Sequence, residues 1–311
     1  MRPAEPELAP AEHARAIFRE LFERELHVEQ DGTATYVPRG TTPDAVRTEL
    51  LDLVCALVAH GHDVQVLERS RVVWHGVGAD AIAVVPGAPG LTTAFDDLEL
   101  ARVHWTRFYG QDRGVPQPSP FAAWVAQRVP ASLGTVIELG CGNGRDTAVV
   151  AQGRRALGMD YSPTAIERNR AAWAGSRLDF AQVDVSDAES LAAATAGWFD
   201  DGPVAVYSRF FVHAISDEAE ATLLAFLRES LPTGSVVYLE FRTEQDASTP
   251  KVFGEHYRRF VDPDALVARL SAGDHFVLEH AERGHGLAVY KDEDPYVARL
   301  VLTKVDPTGA P

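Results

Sequence analysis

Cysteine is scarce in this chain, with two in 311 residues. Cys55 and Cys141 lie far apart and neither belongs to a CxxC pair, so no disulfide framework and no structural zinc site are expected. The expectation is a reduced, cytoplasmic protein with no metal. Long apolar runs are also missing. No stretch of eighteen apolar residues occurs, which excludes a membrane-spanning helix and leaves no expected membrane partner. Met1–Pro10 carries Pro and Glu where a secretory signal would carry a basic patch and an apolar stretch, and it reads as a disordered lead-in. Positive charge is in deficit: 29 Lys and Arg stand against 45 Asp and Glu, a formal net charge of −16. The arginines are scattered, with no basic run interleaved with aromatics. Such a field repels a polyanion, so nucleic acid is not an expected partner.

What is present divides into two parts. The first, 1–104, opens with an amphipathic pattern from Ala11 to Leu26 and continues with a helix beginning at Thr42 and stopping near His60–Gly61. Short β-type runs follow at Val64–Leu67, Val72–Trp74 and Ala81–Val85. This is a small α+β unit, with capping of a site or pairing into a homodimer both open as its role. The second part, 105–311, alternates apolar strands with helical patterns, the signature of repeated βαβ units around a parallel sheet. Strands are expected at Val136–Leu139, Ala156–Met159, Asp179–Val183, Val204–Ser208, Val236–Phe241, Phe276–His280 and Val297–Thr303. Helices are expected near Ser119–Pro120, Arg145–Ala151, Pro163–Ala172, Ala188–Ala194, Glu218–Leu231 and Pro263–Leu270.

The strongest chemical signal is Glu138-Leu-Gly140-Cys141-Gly142-Asn143-Gly144, where a strand runs into a glycine-rich turn and a helix follows. Glycine suits a turn of positive φ over which a ligand lies close to the backbone. A dinucleotide fingerprint would need Gly or Ala at position 145, where this chain has Arg145, and a P-loop would need Gly-Lys-Ser/Thr. Glu138, two residues before the first glycine, would repel a pyrophosphate and attract an ammonium or a sulfonium. Asp160 ends the next strand, where a carboxylate can accept hydrogen bonds from a ribose diol. Asp184 ends the third strand, able to meet an adenine amino group or instead to cap the following helix, for which Asp187 competes.

These residues, E-L-G-C-G-N-G with G-M-D-Y-S and Q-V-D-V, resemble the first three cofactor motifs of the class I S-adenosylmethionine (SAM)-dependent methyltransferases. The resemblance covers about residues 105 to 305. It implies a Rossmann-like α/β fold with a seven-stranded sheet, its last strand antiparallel and inserted between the fifth and sixth. It further implies SAM as cofactor, held by the turn with Asp160 and Tyr161 at the ribose and Asp184 and Val185 at the adenine. Ser208 and an upstream aromatic, Tyr109, with Trp105 and Phe108 at helical spacing, join the expected cofactor set.

Ligands of open α/β sheets bind beyond the carboxyl ends of the strands. Arg209, Arg242 and one of Arg258 or Arg259 fall there, next to His256, and match a small anionic acceptor. Pairing of these arginines with the many acids is the alternative. His213 is the first candidate general base, with Tyr257 and His256 behind it. The expected reaction is O-methylation of an anionic small molecule. N-methylation, or SAM binding without transfer in a regulatory protein, stay open. The run after the fourth strand, Tyr207-Ser208-Arg209-Phe210, lacks an Asn-Pro-Pro-Tyr pattern and so speaks against a nucleobase or glutamine amide as acceptor.

Overall fold

A computed structural model of the chain describes residues 19, 27–28, 34–35, 42–59, 63–67, 71–75, 82–84, 96–110, 117–247, 258–291 and 293–307. The chain divides into two compact units, Met1–Asp112 and Arg113–Pro311.

Among the described residues the first unit holds a five-stranded sheet and two long helices. Its strands are β1 (His27–Val28), β2 (Ala34–Thr35), β3 (Asp63–Leu67), β4 (Arg71–His75) and β5 (Ile82–Val84), arranged in the order β1-β2-β5-β4-β3. Only β2 and β5 run parallel; the other neighbours are antiparallel. The three later strands fall where the β-type runs predicted them, whereas β1 and β2 are two residues each and leave no periodicity to read. Helix α1 (Pro43–Ala59) starts where the Thr42 hydroxyl accepts from the Ala45 N–H at 3.3 Å, and it buries Val54, Leu57 and Val58. The amphipathic stretch Ala11–Leu26 lies outside the described residues except for Arg19. Helix α2 (Asp97–Gly110) is tied to α1: Arg47 Nε donates to Glu99 Oε1 at 2.5 Å, and Arg102 Nη2 donates to Asp52 Oδ1 at 3.0 Å. These ties place the whole of α2 in the first unit, so the division falls beyond position 104.

The second unit contains the seven-stranded sheet. Its strands are β6 (Thr135–Leu139), β7 (Arg155–Asp160), β8 (Leu178–Gln182), β9 (Ala205–Arg209), β10 (Val236–Arg242), β11 (Phe276–Gly284) and β12 (Val297–Lys304), in the order β11-β12-β10-β9-β6-β7-β8. Strands β6 to β10 run parallel, and β12 lies antiparallel between β10 and β11. This is the Rossmann-like methyltransferase topology that the motifs implied. Every residue of β6 and of β10 is buried, as both faces of a central strand are covered. The edge strand β11 is mostly exposed and extends to Gly284, past the predicted end at His280.

Helices cover both faces. On one, α3 (Pro120–Ala126) and α4 (Arg145–Ala151) bring Phe121, Val125 and Val150 against Val136, Ala205, Tyr207 and Tyr238. On the other, α6 (Ala188–Thr195), α7 (Asp217–Ser230) and α8 (Pro263–Leu270) pack Leu191, Leu223, Leu227, Leu266 and Leu270 on Ile137, Leu157, Val206 and Leu239. Helix α5 (Pro163–Ala172) lies by the sheet edge with Ile166 against Phe180. The starts follow local chemistry. Ser119, Ser162, Asp187, Ser216 and Asp262 each accept from a backbone N–H of the first turn.

Candidate active site

The glycine turn leaves β6 with Gly140, Gly142 and Gly144 all left-handed, at φ 71°, 51° and 70°. A β-carbon on Gly140 would come within 2.5 Å of the Phe211 ring, so glycine is required there twice over. The turn is held by its own backbone: the N–H groups of Gly140 and Cys141 both donate to Met159 O, at 2.8 and 2.9 Å. Asn169 of α5 adds a bond from Nδ2 to Gly142 O at 2.8 Å. Cys141 is a free, buried thiol whose pKa burial pushes well up, and Asn143 is exposed.

Asp160 closes β7 beside this turn. Its Oδ2 accepts from the Gly142 N–H and its Oδ1 from the Ser162 N–H, each at 2.9 Å. Burial raises its pKa, while those backbone donors pull it down. A carboxylate offers about four acceptor sites; Gly142 and Ser162 take two and the Tyr161 N–H also bears on the group, which leaves some capacity for a ligand hydroxyl. Glu138 is buried deeper in the strand and takes a hydrogen bond from the Thr147 hydroxyl. Burial, reinforced by Asp146, raises its pKa well above the usual carboxylate range. Asp184 is exposed, and its Oδ1 accepts from Ser186 N at 2.9 Å and Ser186 Oγ at 2.6 Å. The cap of α6 is Asp187 instead. Tyr161 is half-buried, whereas Val185 packs into the main core.

Asp146, in the first turn of α4, is a tie between elements. Its Oδ1 accepts from Ser119 N at 2.8 Å, and its Oδ2 accepts from Ser119 Oγ at 2.6 Å and Tyr207 OH at 2.8 Å. Ser208 is buried and donates to Leu139 O at 3.2 Å, which turns it toward β6. Tyr109 belongs to α2 of the first unit, where it stacks on Trp105 with ring centroids 6.0 Å apart.

The acceptor side departs from the sequence expectation. Arg242 is buried, with Nη1 donating to Asp246 at 2.6 Å and Nη2 donating to Glu293. Both ends of its fork are therefore occupied, and the role expected for it at an anionic acceptor is corrected: it neutralises two acids inside the fold. Arg259 is committed in the same way to Asp217, Glu220 and Val212 O. Arg258 is half-buried, and His256 and Tyr257 lie outside the described residues. His213 is buried, and its Nδ1 accepts from the Arg242 N–H at 3.1 Å. A backbone amide only donates, so Nδ1 bears no proton and the neutral ring carries it on Nε2. The Nδ1 lone pair is thereby engaged within the fold, which bears on the base role expected for His213.

Arg209 differs. Its Nε donates to Glu240 Oε1 at 2.8 Å, yet Nη1 and Nη2 have no hydrogen-bond partner among the described residues. Phe210 follows in a left-handed conformation at φ 54°, a strained state for an aromatic residue. The bend lays its ring under Arg209, 4.1 Å from guanidinium carbon to centroid, and sends Phe211 onto Gly140. Sequence reasoning missed Phe210, Phe211, Asn169 and Glu240; the Phe-Phe pair after a strand end was its one visible trace.

Residues 136–234 match the family model described as a methyltransferase domain. These residues form a methyltransferase domain. The chain shares its fold with the SAM-dependent methyltransferase of Anabaena variabilis, at 16% identity and a TM-score of 0.53 over 68% of this chain and 96% of that one. It also aligns with the 1,6-didemethyltoxoflavin-N1-methyltransferase of Burkholderia thailandensis, at 19% identity and a TM-score of 0.46, over 78% and 100% of the two chains. No curated protein matches the sequence.

Proposed function

We propose that this enzyme O-methylates a small molecule through an oxygen already ionised at neutral pH, a carboxylate being the simplest case. The observation that carries this reading is the occupied Nδ1 of His213. Beside the ends of β9 and β10, the candidate base among the described residues has no lone pair to offer. A nucleophile that arrives ionised needs none. SAM supplies an electrophilic methyl group on a sulfonium, and the residues present suit it. Asp160 keeps acceptor capacity for the ribose hydroxyls and sets a carboxylate against the glycine turn through the Gly142 N–H. The protein's part is then to hold donor and acceptor in line and keep water out, which alone is a large contribution. The net charge of −16 favours a small acceptor over a polyanion.

Two readouts test this. Methyl groups transferred from labelled SAM to a panel of small carboxylic acids should leave as methanol on mild alkaline treatment, as esters do. The rate should also stay level through the histidine range near pH ~6.5. Alkali-stable methylation, as of an amine, or an acid limb in that range would sink the proposal. His256→Ala and Tyr257→Phe should both retain kcat.

A further inference from the structure

The cross-strand register sets three charged residues in one row. Glu240 of β10 lies directly opposite Arg209 of β9 on one side and Arg299 of β12 on the other. Its two oxygens are divided between them: Oε1 takes Arg209 Nε and Oε2 takes Arg299 Nε, both at 2.8 Å. Arg299 is itself anchored, with Nη2 donating to Leu287 O at 2.6 Å and the guanidinium 5.3 Å from the Phe121 centroid. Glu240 and Arg299 are buried, whereas the Arg209 side chain is 13% exposed. Two cations share one anion, so the row carries an excess positive charge, and among the described residues both Nη groups of Arg209 stay open at its less buried end.

The row ends beside the glycine turn. Ser208 pairs with Leu139, Arg209 follows it, and Phe211 covers Gly140. Around that turn Glu138, Asp146 and Asp160 are all buried, with Glu138 pushed toward its neutral form and Arg145 3.6 Å from Asp146. A held guanidinium near the Asp146 carboxylate, in a row that ends by the turn carrying Asp160, is the complement of an amino-acid zwitterion, or of an acid placed next to one. We propose that Arg209 is a carboxylate-binding residue of this site, with Glu240 and Arg299 as the positioning residues that keep its Nη edge turned outward. The carboxylate is that of the amino-acid end of the cofactor or that of the acceptor. A guanidinium fixed through Nε presents two parallel N–H donors at little further entropic cost, which suits bidentate recognition. The inference rests on the SAM-dependent reading.

The test is calorimetric, on the full chain, with S-adenosylhomocysteine, with its decarboxylated analogue, and with benzoate added to protein saturated with S-adenosylhomocysteine. If the cofactor supplies the group, Arg209→Gln loses at least about tenfold in affinity for S-adenosylhomocysteine and nothing for the analogue. If the acceptor supplies it, both nucleosides bind unchanged and wild-type benzoate binding disappears. Arg209→Lys keeps the charge without the fork and should recover only part of either loss. Glu240→Gln should shift the same discrimination in the same direction and to a lesser extent. Two results overturn the proposal: equal loss of both nucleosides, or an unchanged preference for S-adenosylhomocysteine with no Arg209-dependent benzoate binding, whether or not the wild type binds benzoate. Failure of the wild type to bind either nucleoside would instead strike the cofactor reading itself.

Discussion

A β-carbon on Gly158 would lie 2.7 Å from the Phe180 ring, and one on Gly144 would lie 3.0 Å from the same ring. Phe180 thus explains why glycine recurs both in the turn and in the strand beside it, a reason no linear spacing reveals. Asp160 and Glu138 were legible as acids at strand ends, but their burial was not. For Glu138 that burial has a consequence for stability. Its folded pKa is raised well above 4.5, so the folded chain holds a proton that the unfolded chain releases. Whatever stability this difference contributes is complete below about pH 4.5 and is lost as pH rises toward the folded pKa. Glu138→Gln keeps an acceptor for Thr147 and removes the ionisation. Its melting temperature should match wild type near pH 4 and exceed it increasingly toward pH 7. A variant less stable than wild type at neutral pH would contradict this assignment.

At the level of elements, the alternation of strands and helices was legible because each buried strand is a short apolar run and most helix starts carry a capping side chain, α4 at Gly144 being an exception. The pairing between elements was not. Arg209, Glu240 and Arg299 come from three segments, and only the register of β9, β10 and β12 makes them neighbours. The same holds for Arg242, whose partners Asp246 and Glu293 are 4 and 51 residues away. An arginine at a strand end therefore read as available when it was already paired. The tie between α3, α4 and β9 through Asp146 is of this kind too, since Ser119 and Tyr207 stand 27 and 61 residues from it. Tyr207→Phe removes one of its hydrogen bonds while keeping the ring packed on Phe121. It should cost about 1 kcal/mol in denaturant unfolding. A cost near zero would show that the Asp146–Tyr207 bond contributes nothing net.

At the level of the whole molecule, the first unit has its own sheet and carries Tyr109, while the glycine turn, Asp160 and the arginine row all belong to the second. The placement of β12 between β10 and β11 is a non-local feature that hydrophobic patterning does not encode; it was expected only from the resemblance of three motifs. The cofactor was expected from those motifs because each falls at or just past a strand end. The central claim is that the second unit binds SAM with Asp160 at the ribose. Titration of the protein with S-adenosylhomocysteine by calorimetry, beside an Asp160→Ala variant, tests it most directly. The account predicts micromolar binding by wild type, weakened at least about tenfold in the variant, the scale for hydrogen bonds to a charged group. Absence of wild-type binding, or equal affinity in the variant, would contradict it.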